Sequence, residues 1–415
     1  MSFKLNDPKN NLKNVLHAFF LSLAVTIAEP TTVMPLMLSY FTANPAVIGL
    51  YSSLLRGGSI VVQLYAAFHA QTYKRVLPYL RWVFFARFLS WFLIGASILL
   101  FGQEYKGLTL FLIGLGLFFF SLPAGFGAIY FKELQAKLFT KEYRGKTISN
   151  RNIAGAVATI ISGGIAGWVI SSFSAPLNFG YLFLVSSFLM AIGFFAFATI
   201  NEPPKQNVAK KEKNFKEFLK NAIKILKNDK IFKVQILAIL LSYGYFFALP
   251  FVILHAKETI ELTGWLIGGF ITVQMIGSLF GNLILWRNIS NYELMLILSY
   301  IIMIVAFLIT LFFNSALAYM AFFALFGIAY DGISNSSMNL VIEIAPEDKR
   351  PIYTAIQTNI ASLGLFFPII GGAILKLIGS YSFVYLLSIA VLTIGLGVAI
   401  WLNRLIKKAH LGVKE

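Results

Sequence analysis

Long apolar stretches alternate with short polar ones along the whole chain, and their lengths decide what they are. Twelve such stretches lie at 15–40, 47–70, 76–101, 109–133, 149–172, 178–200, 231–255, 263–286, 292–313, 317–343, 352–377 and 383–403. A helix crosses a hydrocarbon core of about 30 Å with about 20 mostly apolar residues, and each stretch meets that need. The pattern predicts an all-α membrane protein with 12 transmembrane helices. The first stretch is longer than the apolar region of a signal peptide and is kept as a span. One hydrophilic segment separates six spans from six, which predicts an N-terminal six-helix bundle at 1–200, a cytoplasmic linker at 201–230 and a C-terminal six-helix bundle at 231–415. Within the linker, Phe215, Phe218, Leu219, Ile223 and Leu226 fall on one helical stripe among lysines. That stripe fits an amphipathic helix lying on an anionic membrane surface. A solvated linker that only sets sidedness fits as well.

Composition narrows the classes. Of 415 residues, 58% are hydrophobic and 12% charged. A soluble enzyme keeps roughly a quarter of its residues charged, and a disordered chain lacks aromatic and branched apolar residues, so both are excluded. The chain has no cysteine, which removes disulfides and thiolate chemistry. A net charge of +17 invites a nucleic-acid partner, but the lysines and arginines cluster in every second loop. They crowd before the first span, after the second (Lys74, Arg75), after the fourth (Lys137 to Arg151), from Lys205 to Lys233, after the tenth (Lys349, Arg350) and at the C-terminus. The opposite loops carry Lys106 and Lys257. This is the positive-inside bias, and it predicts an inner-membrane protein with both termini in the cytoplasm and no nucleic-acid partner.

The two halves resemble each other. Phe126-Gly127 matches Phe326-Gly327, Arg144 matches Arg350, Asn152-Ile153-Ala154 matches Asn359-Ile360-Ala361, and Gly163-Gly164 matches Gly371-Gly372, in one order and at nearly one offset. Two parallel repeats around a central cavity follow, with the rocking of one repeat against the other as the expected motion. In this organisation the whole chain resembles the major facilitator superfamily of transporters. The signature between spans 2 and 3 of that family survives here as Ala67-x-x-x-Gln71-x-x-Lys74-Arg75, with its glycines and aspartate replaced. The resemblance implies that Arg75, Arg144 and Arg350 make cytoplasmic gating contacts and that spans 1, 4, 7 and 10 line the cavity. Gly155-x-x-x-Thr159-Ile160-x-x-Gly163-Gly164 in span 5 is similar to the pattern of drug antiporters, and Pro368-x-x-Gly371-Gly372 is its relative in span 11. Close helix packing accounts for these small residues.

Charges inside the membrane are the candidate chemistry. Glu29, Arg56, Arg87 and Asp331 each lie near the middle of a span, and a charge there costs about 2.5–3.5 kcal/mol on insertion scales, so each must face protein or water. Glu29 and Arg56 stand on spans joined by a short loop and form the easiest pair, which could be static. Thr26 lies one turn before Glu29, and Pro30 directly after it frees a backbone carbonyl at mid-depth. Asp331, Asn335 and Asn339 stack at intervals of four residues on span 10, the most polar stretch of any span. Tyr243 on span 7 adds a hydrogen-bonding or stacking group. His17 and His255, near span ends, read as interfacial residues. No phosphate loop, zinc-spaced cluster or motif-spaced pair of catalytic carboxylates is present, so neither an enzyme nor a cofactor or metal is expected.

The reading that joins these observations is a secondary transporter of a small solute, working by alternating access as a monomer, with proton coupling as an expectation and with export and import both left open by the sequence. Desolvation favours the protonated form of a carboxyl and access to water favours release, so Asp331 and Glu29 are the candidate proton carriers. Arg56 and Arg87 would hold the acids in register or meet an anionic group of the substrate. A transporter-like membrane sensor or assembly factor without net flux is the alternative.

Overall fold

The computed structural model describes residues 5–70, 73–204, 223–346 and 349–410, and among them every regular element is helical. The first span is broken into α1 (Pro8–Ile27) and α2 (Val33–Phe41). It is followed by α3 (Pro45–Ala70), α4 (Leu77–Phe101), α5 (Lys106–Leu138), α6 (Lys141–Ser172) and α7 (Leu177–Ala198). The second half runs through α8 (Lys230–Ser242), α9 (Leu249–Thr259), α10 (Gly264–Phe280), α11 (Tyr292–Phe312), α12 (Ala316–Ile344), α13 (Arg350–Ala361), α14 (Phe367–Ile378) and α15 (Tyr381–His410). α8 and α9 are joined by a 3₁₀ segment and form one span, as do α13 and α14. Ten segments among the described residues are long and apolar enough to cross a membrane, and α1–α2 and α3 complete two sets of six.

The chain divides into two compact units. The first holds residues to Ala43, Leu54–Lys213 and Thr263–Thr272. In it α1 packs on α6 and α7, and α4 packs on α5 and α7. Trp91, 1% exposed, donates from Nε1 to Ser186 Oγ at 2.7 Å, and Ser186 donates to the carbonyl of Ala24 at 2.6 Å, which ties α4, α7 and α1 together at depth. Such chains leave no polar atom facing lipid, as a bilayer interior requires. Glycines set the closest approach. Gly163 and Gly167 on α6 meet Gly264 and Gly268 on α10, four residues apart on both helices. A Cβ at Gly163 would lie 2.7 Å from the Gly268 carbonyl, and one at Gly268 would lie 2.9 Å from the Gly167 Cα. Small residues at this spacing let two backbones touch. Gly155 likewise faces Ser22, whereas Gly164 has nothing within 4 Å, so the expected packing of that glycine pair falls on Gly163.

The second unit holds Asn44–Ser53, Asn214–Leu262 and Val273 onward. There α11 packs on α12 and α15, and α15 on α8. Gly49 lies against the Pro368 backbone, Gly371 against Phe247 and Gly372 against Pro45. The expected amphipathic helix of the linker lies largely outside the described residues. Its described end is helical over 223–228, and Leu226 packs on Phe232, Ile236, Val341, Tyr353 and Ile356, so that residue of the stripe is spent on protein.

The repeats share their fastenings. Asp7 caps α1 by accepting from Lys9 N at 2.9 Å, and Asp229 caps α8 by accepting from Phe232 N at 2.9 Å. An aspartate at this position satisfies a free amide and favours the helix dipole. Arg144 donates to the Phe139 carbonyl at 3.2 Å, and Arg350 to the Ile342 carbonyl at 3.2 Å. Both therefore bind carbonyls at the C-terminal end of the helix before them, α5 and α12. Arg75 is exposed.

Candidate functional site

The polar stretch of α12 faces a partner that sequence spacing did not reveal. Asp331, at the middle of α12, accepts from Ser278 Oγ of α10 and from Asn282 Nδ2 at 2.5 Å. Asn282 also receives Asn335 Nδ2 on its Oδ1 at 2.9 Å, and Asn339 donates to the Asn335 carbonyl at 2.7 Å. Asn282 can bridge these groups because the helix widens there: Gly281–Leu285 is a π-helical turn, a distortion often found at functional sites. Gly332, with Trp286 and Ser299 packed where its side chain would stand, lets the helices close around the network.

Ser278 and Asn282 are both neutral, and among the described residues no cation stands within ion-pair distance of Asp331. The three amide residues also reach a polar pocket of about 420 Å³. Asn282, Asn335 and Asn339 line it together with Trp286, Arg287 and Tyr292. A larger pocket, about 510 Å³, lies between α4 and α5 and is lined by Leu89, Leu93, Leu112, Phe119 and similar residues. Its lining offers a polar solute almost nothing to bond.

Of the other sequence-derived candidates, Glu29, Thr26, Arg56 and Arg87 belong to the first unit and Tyr243 to the second. Glu29 is 5% exposed and sits in the break between α1 and α2, where it accepts from Thr31 N at 3.3 Å and Thr31 Oγ1 at 3.0 Å. The expected proline kink is thus a full interruption, and Met34 N reaches back to the Glu29 carbonyl at 3.1 Å to restart the helix. Thr26 is buried in the last turn of α1, and Arg56 is half-buried on α3. In the second unit, Tyr243 opens the 3₁₀ segment of span 7 and stacks toward Tyr245 and Phe246.

Arg87 lies over the Phe120 ring at 4.3 Å and within 5.7 Å of the Phe194 ring. Among the described residues it forms no ion pair and no hydrogen bond, and its Nε is buried without a partner. Arg87 as a whole is half-buried; a cation over an aromatic face gains about 0.5–2 kcal/mol, less than the several kcal/mol that full removal of an ion from water costs. His17 was expected at the interface. It is 3% exposed and ringed by Phe84, Phe131, Phe194 and Phe197 at 4.9–5.9 Å between centroids. Arg151, read from sequence as one of the loop cations, points inward from α6, donating to Asn14 Oδ1 at 2.5 Å and lying 3.4 Å from His17 Nδ1.

Sequence reading also missed Glu202, at the head of the linker. Its carboxylate accepts from Val76 N and Leu77 N, both at 2.8 Å, at the start of α4, and pairs with Lys137 Nζ at 2.6 Å. Lys137 donates in addition to the Lys74 carbonyl at 3.0 Å. The loop between spans 2 and 3, the end of span 4 and the linker are therefore joined at one buried carboxylate.

Two sets of six spans, with a carboxylate at mid-span held by neutral donors, fit a polytopic membrane transporter. The sequence matches the model of the Major Facilitator Superfamily over residues 15–259 and 235–414, and the chain belongs to that family. No curated protein matches it in sequence. Its fold is similar to that of the nucleoside transporter NupG, with a TM-score of 0.69 at 15% identity over 95% of this chain and 99% of that one. It is also similar to the POT family transporter PepTSo (0.70, 11%, 96% and 98%) and to a D-xylose-proton symporter (0.67, 14%, 95% and 95%). At such identities the likeness is one of fold.

Proposed function

We propose that this secondary transporter moves a small polar solute by alternating access and couples the movement to protons through Asp331. The observation that carries the reading is the mid-membrane carboxylate held by the neutral donors Ser278 and Asn282. A carboxylate locked to a cation is a fixture, whereas one held by hydroxyl and amide groups can take a proton and give it up at lower cost. The amide-lined pocket beside it is lined as well by Arg287–Ser290, a segment that the charge bias assigns to the cytoplasmic side, which would supply a route for protons to that side. Amides, a tryptophan and a tyrosine at the pocket also suit a hydroxylated or amide-bearing solute. That one similar fold belongs to a protein described as a proton symporter agrees with the coupling. Arg75, Arg144 and Arg350 enter the proposal as cytoplasmic-end residues, with Arg144 and Arg350 acting through the helix ends they bind.

The experiment is uptake into proteoliposomes from a panel of anionic, cationic and neutral solutes under an imposed pH difference. Accumulation above equilibrium, in a direction set by the sign of the gradient, is expected in the unmodified protein and fixes import or export. Asp331→Asn is expected to lose accumulation while keeping solute exchange. Gradient-driven accumulation by Asp331→Asn overturns the coupling role. Flux that never becomes concentrative overturns secondary transport, and absence of flux for every solute favours a sensor built on the same body.

A further inference from the structure

We propose that the first bundle encloses a binding site for a compact inorganic anion of chloride size, held by Arg87 and His17 beneath Arg151. The two side chains reach the same ring: the Arg87 guanidinium lies 5.7 Å from the Phe194 centroid and the His17 imidazole 5.9 Å from it. Arg151 Nη1 stands 3.4 Å from His17 Nδ1. Because a guanidinium can only donate, Nδ1 is the accepting nitrogen and the neutral imidazole carries its hydrogen on Nε2. That Nε2 is buried and bonded to nothing, and so is the Nε–H of Arg87. Two buried donors without an acceptor, beside two guanidinium groups without a carboxylate among the described residues, lack the same thing: a negative charge that accepts hydrogen bonds. Water would satisfy the donors and leave the charge uncompensated.

The walls argue for a small ion. Phe84, Phe120, Phe131, Phe194 and Phe197 surround the donors, with rings stacked or tilted on His17 and the Phe120 ring face against Arg87, so an anion would be held by the two donors and the guanidinium charge. Rings of this kind offer an organic solute none of the further polar contacts it would need. The inference shares no residue with the Asp331 network and does not depend on the proposal made for it.

The full-length protein, purified in gluconate and titrated with chloride at constant ionic strength, is expected to show a saturable rise in Tm of about 2 °C or more. The rise is expected to vanish in Arg87→Gln and in His17→Phe. Crystals of the unmodified protein soaked in bromide are expected to give an anomalous peak within about 3.5 Å of both Arg87 and His17 Nε2. An equal rise in Arg87→Gln marks a general salt effect and overturns the site, as does a flat titration with no bromide peak. A rise with acetate but not with chloride assigns the donors to a carboxylate of an organic solute and overturns the compact ion. If both variants fail to fold, the bromide peak alone decides.

Discussion

Replacing Glu202 with alanine removes one carboxylate, leaves two amides without an acceptor and leaves Lys137 with the Lys74 carbonyl alone. The amides of Val76 and Leu77, each 2.8 Å from it, lose their acceptor, and Lys137, with 9% of its side chain exposed, keeps a charge that nothing compensates. Breaking a buried pair by removing one partner costs about 3–5 kcal/mol, because the remaining charge is left desolvated. At about 2.1 cal/mol/K of unfolding entropy per residue, a chain of 415 residues carries about 0.9 kcal/mol/K, so the expected fall in Tm is about 3–6 °C. Glu202→Gln keeps a neutral acceptor for one amide and is expected to fall by about half as much. The informative variant is the double one. If the orphaned lysine is the main cost, adding Lys137→Met to Glu202→Ala restores part of the loss, so the double variant unfolds at a higher temperature than Glu202→Ala alone. Thermal unfolding of the four purified proteins, read by tryptophan fluorescence, closes the cycle. A Tm for Glu202→Ala within 1 °C of the unmodified protein, or a double variant less stable than both single ones, refutes the reasoning.

Three further outcomes are expected. Gly268→Val places a branched side chain against the Gly163 carbonyl and the Gly167 Cα, and overpacking of this kind costs about 1–3 kcal/mol, to be read as a lowered Tm, while Gly164→Ala leaves it unchanged. Asn282→Leu removes the amide that joins Asp331 to Asn335, and initial transport rates in proteoliposomes are expected to drop by at least about tenfold, equivalent to about 1.4 kcal/mol. Arg144→Ala and Arg350→Ala each free a carbonyl at a helix end, and two similar losses of about 0.5–1.5 kcal/mol, measured by chemical denaturation, would express the equivalence of the repeats.

What could be read from the sequence was what repeats. Span positions follow from runs of apolar residues, and the Asp331–Asn335–Asn339 stack follows from a spacing of four. The partner of that stack was hidden because Ser278 and Asn282 are two small polar residues in a span that also carries Thr272 and Gln274, and only the fold brings them against α12. A lone histidine near a span end carries no signal of what packs on it, so the four phenylalanine rings around His17 were not foreseen. Arg151 read as a loop cation because proximity to a basic loop is all that charge counting registers. Glu202 escaped notice because its three partners are distant in sequence and two are backbone amides.

The wide turn at Gly281–Leu285 has a mechanical meaning. A π turn closes its hydrogen bonds one residue later than an α turn, so it stores one surplus residue in the coil. Moving that residue out of the turn would turn the segment beyond it about the helix axis by about 100°, the angle one residue occupies in an α-helix. Asn282 would swing off Asp331 as it went, and Arg287 and Asn288 would travel around the axis with it. The helix whose amide grips Asp331 would thereby be geared: a small axial slip at one end would become a large rotation at the other, and the amide's grip on Asp331 is what such a slip would release.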